Sequence, residues 1–229
     1  MSIRLKHRID YNVKRRTGTS NNMENFIKLG RKIVAVARNY RKHAAELNNP
    51  VPEEPMIFLK PTSSYIQEGE AIRIPPGCNR LFHEVELGIV IGKRGNNIPY
   101  NHYLDYVYGY ILALDMTARD LTEVGLPWNI SKGFDTACPV SKLITKSALG
   151  DPHSARLWLK VDGIMKQDGN TSDMVHNIPK LISYISQFMT LEPGDVILTG
   201  TPDGIGPVIA NQNITCGIND VLQMSFNVE

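Results

Sequence analysis

The chain has 229 residues, 42% of them hydrophobic and 21% charged, with 25 Lys and Arg against 23 Asp and Glu. This composition suits one large folded domain or two small ones and excludes the apolar-poor, highly charged signature of a disordered chain. Near-balanced charge argues against a general polyanion binder, and no apolar run approaches the roughly 20 residues of a membrane helix, so neither nucleic acid nor a membrane is an expected partner.

The charge is unevenly placed. Arg4, Lys6, Arg8, Lys14, Arg15 and Arg16 face a single acid, Asp10, within residues 1–22, and the rest of the chain is mildly acidic. A basic, acid-poor, Ser/Thr-containing start before Met23 has the character of an organellar transit segment, and equally of a disordered tail. Residues 1–27 therefore read as a basic extension and 28–229 as the folded domain, with mitochondria the expected location and the cytoplasm the alternative. Cys78, Cys138 and Cys216 are odd in number and form no CxxC pair, which points to reduced thiols rather than to a disulfide framework or a zinc site.

The elements follow from periodicity and punctuation. The β-branched run Arg31–Ala37 predicts a strand, and Arg38–Leu47 a helix stopped by Asn48–Asn49–Pro50. Met56–Leu59 and the alternating Ala71–Pro75 predict short strands. Val85–Ile91 and Tyr108–Leu114 become continuously apolar, as strands of a buried sheet do. Leu157–Val161 alternates up to Asp162–Gly163, a strong hairpin signal. Ile178, Leu181, Ile182, Ile185, Phe188 and Met189 mark the core face of one long helix, closed by Glu192–Pro193–Gly194–Asp195. Val196–Thr199 and Val221–Val228 complete the strands. The fold class is α+β, mostly β, with few helices.

Several residues can carry chemistry. Glu84 and Glu86 lie two apart on a strand and so share a face, and Asp115 ends a buried strand where a lone carboxylate needs a cation or donors. Three such oxygens suit a hard divalent ion, Mg²⁺ or Mn²⁺, whereas zinc more usually recruits His or Cys. The bland alternative is a solvated strand edge and a salt-bridged aspartate. His43 and Glu46, at i and i+3 on a helix, form a candidate base pair, although such pairs are common on helix surfaces. Arg119 and Lys132 are candidate cations for an anionic substrate, or plain surface charges. The glycine-rich Gly200–Gly206 loop can offer backbone donors to a carboxylate or phosphate but lacks the nucleotide-binding spacings. Trp128 and Trp158 read as core or rim packing, and His102, His153 and His176 have no ligand spacing.

Arg38–Asn39–Tyr40 with His43 and Glu46, Phe58–Leu59–Lys60–Pro61, His83–Glu84–Val85–Glu86–Leu87–Gly88, Leu114–Asp115–Met116–Thr117–Ala118–Arg119–Asp120, Gly125–Leu126–Pro127–Trp128 and Gly200–Thr201–Pro202 stand in that order. Together they resemble the fumarylacetoacetate hydrolase family, from about residue 28 to the end. The resemblance implies a mixed β-roll with short peripheral helices, a homodimer, and Mg²⁺ (or Mn²⁺) held by Glu84, Glu86 and Asp115. It further implies His43 and Glu46 as a catalytic dyad, Lys132 as the active-site lysine, and Arg119 and Thr201 as contacts to a small 2-oxo acid. The implied reaction is hydrolysis of acylpyruvates to pyruvate and a carboxylate, with oxaloacetate decarboxylation and keto–enol tautomerisation open to the same site. The alternatives are isomerisation or hydrolysis of longer dienoic oxo-diacids, and binding of 2-oxo acids without turnover. The sequence departs from the family between Arg119 and Gly125, where the polar stretch is short and Thr122 stands where relatives often carry Gln; looser substrate orientation or an altered lid is the expected result. Ala37 stands before Arg38 where relatives often carry Gly.

Overall fold

A computed structural model describes residues 24–229; the basic stretch read as a transit segment or tail lies in residues 1–23, outside the described residues. The chain runs α1 (Phe26–Leu29), β1 (Ile33–Ala37), α2 (Arg41–Glu46), β2 (Met56–Lys60), β3 (Tyr65–Ile66), β4 (Leu81–His83) and β5 (Val85–Ile91). Next come β6 (Val107–Leu114), β7 (Thr117–Ala118), α3 (Arg119–Glu123), α4 (Trp128–Ser131), β8 (Cys138–Pro139), β9 (Ile144–Thr145) and α5 (Lys146–Leu149). The remainder is β10 (Arg156–Val161), β11 (Ile164–Asn170), α6 (Ile178–Phe188), β12 (Val196–Leu198), β13 (Gly206–Val208), β14 (Asn213–Ile218) and β15 (Leu222–Asn227).

A six-stranded sheet in the order β2-β1-β12-β5-β6-β9 forms the centre. Only β1 and β12 pair in parallel within it. One face carries Leu87, Ile89, Ile91 and Leu112, which meet Leu157, Leu159, Ile214 and Cys216 of the four-stranded sheet β11-β10-β14-β15 together with α6. The other face carries Val90, Ile111, Ala113, Val196 and Leu198, covered by Phe26 and neighbours. Burial on both faces explains why β5 and β6 read as unbroken apolar runs. Gly88 fits this packing because a Cβ there would lie 2.5 Å from Ile111 Cγ1. A three-stranded sheet, β13-β4-β7, closes one end and brings β4 to the loop before β13. The fold is α+β and mostly β, as the sequence predicts.

The hairpin forms at Asp162–Gly163, both with positive φ (48° and 79°) as a two-residue turn of this kind demands. Three expectations are corrected. The helix predicted from Arg38 begins at Arg41, because Arg38 takes φ 56° and the Asn39 side chain is tied to the His176 backbone on both sides and to the Thr199 carbonyl. Ala71–Pro75 is not a strand: Ile72 makes an isolated bridge to Val228, and the following Pro75 and Pro76 cannot extend a ladder. Phe188, placed on the core face of the long helix, is 66% exposed and packs on Tyr184, because the helix ends there and Met189 turns extended, taking the inward position instead. Ile182→Ala should therefore cost about 2–5 kcal/mol in urea unfolding, whereas Phe188→Ala should stay within about 0.5–1 kcal/mol; equal losses would refute this helix register.

Candidate active site

The start of β5 and the end of β6 lie side by side. Val85 pairs with Leu114, and the Asp115 N–H donates to the Glu84 carbonyl at 2.8 Å, so Asp115 falls beside the strand segment that carries Glu84 and Glu86. Ligand oxygens of these three buried acids lie within 4.8 Å of one another. Around them, α2 supplies His43, the start of α3 supplies Arg119, the end of α4 leads into Lys132, and the turn after β12 supplies Thr201. All seven line one cavity of about 130 Å³, with Phe58, Thr122 and Trp128 on its walls. Trp128 packs edge-on against Phe58 at 5.3 Å, a rim position as the sequence allows. Glu46 stands behind His43 rather than in the cavity: its Oε2 accepts from His43 Nδ1 at 3.3 Å and its Oε1 from the Gly204 N–H at 3.2 Å. That bond leaves Nε2 as the acceptor nitrogen of the imidazole.

Buried acids must be compensated, and here the compensation is unequal. Lys132 Nζ donates to Glu84 Oε2 (3.0 Å), Asp115 Oδ2 (2.6 Å) and Thr117 Oγ1 (2.7 Å), which uses all three of its hydrogens. Arg119 pairs with Glu84 Oε1, and Lys60 pairs with Asp115 Oδ1 while donating to the Ala137 carbonyl. Burial pushes Glu84 up, but Lys132 and then Arg119 outweigh it and hold its carboxyl at about 2. Lys132 is lowered by burial yet raised overall by Asp115 and Glu84, so it keeps its charge. Glu86 receives a backbone N–H from Gly200 at 2.7 Å. Burial, and then Asp115 and Glu84, push it well above the ordinary carboxylate range. Gly200 can aim that N–H because it sits at φ +95°, and a Cβ there would meet Asn39 Cβ at 2.8 Å.

The structure places the eight residues named from the sequence close together, seven on the cavity and Glu46 behind His43, but three features differ from the sequence expectation. The glycine-rich loop does offer backbone donors, yet Gly200 and Gly204 spend them on the protein's own Glu86 and Glu46. Arg119 is committed to Glu84 as well as facing the cavity. Lys60 was missed, although a lysine ending the apolar run of β2 poses the same question of a buried charge as Asp115 does.

The donor set fits a divalent cation. Three carboxylates and no His or Cys make a hard oxygen site suited to Mg²⁺ or Mn²⁺, and each carboxylate keeps at least one oxygen with a free lone pair. Glu86, crowded by two like charges and hydrogen-bonded by a backbone N–H rather than by a cationic side chain, is the least compensated member, with Lys132 only partly offsetting the repulsion. A larger groove of about 530 Å³ around Trp158 is lined by one acid, Asp220, and gathers no comparable set.

The pKa directions fix a sign. A carboxyl raised in the fold keeps its proton after the unfolded chain has lost it, so Glu86 costs the metal-free fold stability as pH rises from 4.5 through its raised value. Glu84 acts oppositely: its contribution is present above 4.5 and lost as pH falls toward about 2. A cation in the triad replaces the Glu86 proton, so the gain in Tm from Mg²⁺ over EDTA should be larger at pH 8 than at pH 5 and shrink in Glu86→Gln. Equal gains at the two pH values would contradict this.

Comparison with known proteins agrees with the geometry. The family model described as fumarylacetoacetate (FAA) hydrolase C-terminal matches residues 32–228. The chain is 52% identical to the Arabidopsis thaliana protein named oxaloacetate tautomerase FAHD1, mitochondrial, over 90% of this chain and 95% of that one. It is 53% identical to the Dictyostelium discoideum protein named oxaloacetate decarboxylase, mitochondrial, over 90% and 97%. Among solved structures, fumarylpyruvate hydrolase from Pseudomonas aeruginosa in complex with Mn²⁺ and pyruvate superposes with a TM-score of 0.81 at 34% identity, covering 87% of this chain and 89% of that one. With its fold, its order of motifs and nearly its whole described length in agreement, the chain belongs to the fumarylacetoacetate hydrolase family.

Proposed function

We propose that this chain is a divalent-metal-dependent enzyme acting on short 2-oxo acids, with oxaloacetate the first substrate and acylpyruvates the second. The observation that carries the reading is one small cavity holding three buried carboxylates, two cations and a dyad-oriented imidazole. The relatives named for oxaloacetate tautomerisation and decarboxylation, and the neighbour named with Mn²⁺ and pyruvate, support the same substrate class. A cavity of about 130 Å³ is small against the roughly 300–1,000 Å³ of sites for larger ligands, which favours short acids over long dienoic diacids. The mitochondrial names of both relatives support that compartment, the one expected from the basic start. The assembly we propose is a homodimer, read out by light scattering.

A cation held by Glu84, Glu86 and Asp115 would supply a Lewis acid for a 2-oxo group. The chain's own residues supply the rest. Arg119 and Thr201 orient the substrate carboxylate and oxo oxygens, fixing which carbon faces His43. His43 Nε2, with Nδ1 held by Glu46, takes a proton from C3 of oxaloacetate; returning it to oxygen or carbon interconverts the keto and enol forms. Lys132 keeps its charge and lowers the cost of negative charge on the C2 oxygen. In an acylpyruvate the same imidazole takes a proton from water, which adds to the distal carbonyl. The C–C bond then breaks with its electrons left on C3, and protonation there gives pyruvate and a carboxylic acid. Loss of CO₂ from oxaloacetate leaves the same carbanion and needs no base.

This division yields a test. With Mg²⁺ and ultraviolet detection, wild-type protein should turn over enol-oxaloacetate and acetylpyruvate, and EDTA or Asp115→Ala should abolish both. Glu46→Gln should lower acetylpyruvate hydrolysis and oxaloacetate tautomerisation by about 10²-fold or more while changing decarboxylation much less. Unchanged hydrolysis in Glu46→Gln would remove the dyad from the mechanism, and Mg²⁺-dependent turnover in Asp115→Ala would remove the triad.

A further inference from the structure

Gln167 lies on β11, fully buried and outside the cavity, and it spends its whole hydrogen-bonding capacity on the two segments that build the site. Its Oε1 accepts from the Val85 N–H at 3.1 Å and faces His83 Nδ1 at 3.0 Å. Its Nε2 donates to Thr201 Oγ1 at 2.8 Å and to the Pro202 carbonyl at 2.9 Å. The amide fits only one way round, because a backbone N–H must meet its oxygen and a backbone carbonyl must meet its NH₂. The loop is held at close range. A Cβ on Gly169, which shares a face of β11 with Gln167, would lie 2.4 Å from Pro202 Cβ, and one on Gly204 would lie 2.1 Å from the Lys166 carbonyl oxygen.

This orientation settles where two hydrogens go. His83 carries its proton on Nδ1, facing the amide oxygen. Thr201 Oγ1 already accepts from Gln167, so its own hydrogen points elsewhere, and among the described residues no protein acceptor takes it. Thr201 lines the cavity with Glu84, Glu86, Asp115 and Arg119.

We infer that Gln167 is a positioning residue: by filling the acceptor side of Thr201 it presents that hydroxyl as a donor to a carboxylate or oxo oxygen of the substrate. It also ties the Thr201 loop to the strand bearing Glu84 and Glu86, so both halves of the site share one anchor. The inference deepens the proposed function and rests on its placement of a 2-oxo acid beside the acidic triad.

The test measures oxalate, a planar analogue of a 2-oxo acid enolate, by calorimetry in the presence of Mn²⁺, and Mn²⁺ alone by electron paramagnetic resonance. Gln167→Met and Thr201→Val should each weaken oxalate about tenfold, and the double variant should be no weaker than Thr201→Val, because both changes remove the same donor. Mn²⁺ affinity should be unchanged. Gln167→Glu preserves the volume and the bond from Val85 but replaces the donor to Thr201, so it should also weaken oxalate and raise KM for oxaloacetate more than it lowers kcat. It serves if Gln167→Met does not fold. Losses that multiply in the double variant, or a parallel loss of Mn²⁺ affinity, would overturn the positioning role alone. No oxalate binding to the Mn²⁺-loaded wild-type protein would overturn the site reading and this role with it.

Discussion

Three carboxylates buried within 4.8 Å of one another are the constraint around which the molecule is arranged. Each pair of like charges at such a distance costs about 3–4 kcal/mol at an effective dielectric near 20, and burial adds its own penalty. The fold answers with Lys60 and Lys132 on Asp115, Lys132 and Arg119 on Glu84, and the Gly200 N–H on Glu86. Those partners come from β2, the segment after α4, the start of α3 and the turn after β12, so the acids organise elements far apart in the chain. Glu86 remains under-compensated, which makes the triad a place where an added cation gains more than it displaces.

Why a mostly β fold hosts this site follows from the sheet. Period-two geometry puts Glu84 and Glu86 on one face while Val85, between them, points into the core. Beyond the acidic end the same strand is apolar on both faces, so β5 and β6 are clamped by packing and the carboxylates sit at the end of a rigid element. In the proposed mechanism the mobile parts, a proton on His43 and a hydroxyl on Thr201, are set by partners outside the cavity, Glu46 and Gln167.

Much of this was legible in the sequence because its signals are local. Spacing two along β5 gave a shared face, spacing three on α2 gave the His43–Glu46 contact, and a carboxylate ending an apolar run marked Asp115. What was not legible depended on long-range pairing. No local signal marks Gln167 in the sequence, and only the approach of the Thr201 loop, with Gly169 and Gly204 making room, reveals its four bonds. Lys60 acquires its meaning from Asp115, 55 positions away. The end of α6 was misread because apolar spacing continued into Phe188 while the backbone turned at Met189. Periodicity reports which side chains favour burial, and tertiary context decides which of two neighbours obtains it.

The most direct test of the central claim is a crystal structure of the protein grown with Mn²⁺ and oxalate, with anomalous diffraction collected at the manganese edge. The account predicts one strong anomalous peak coordinated by Glu84, Glu86 and Asp115, with oxalate between it and Arg119 and Thr201. A manganese peak elsewhere, or an acidic triad still bridged only by its lysines at saturating Mn²⁺, would contradict it.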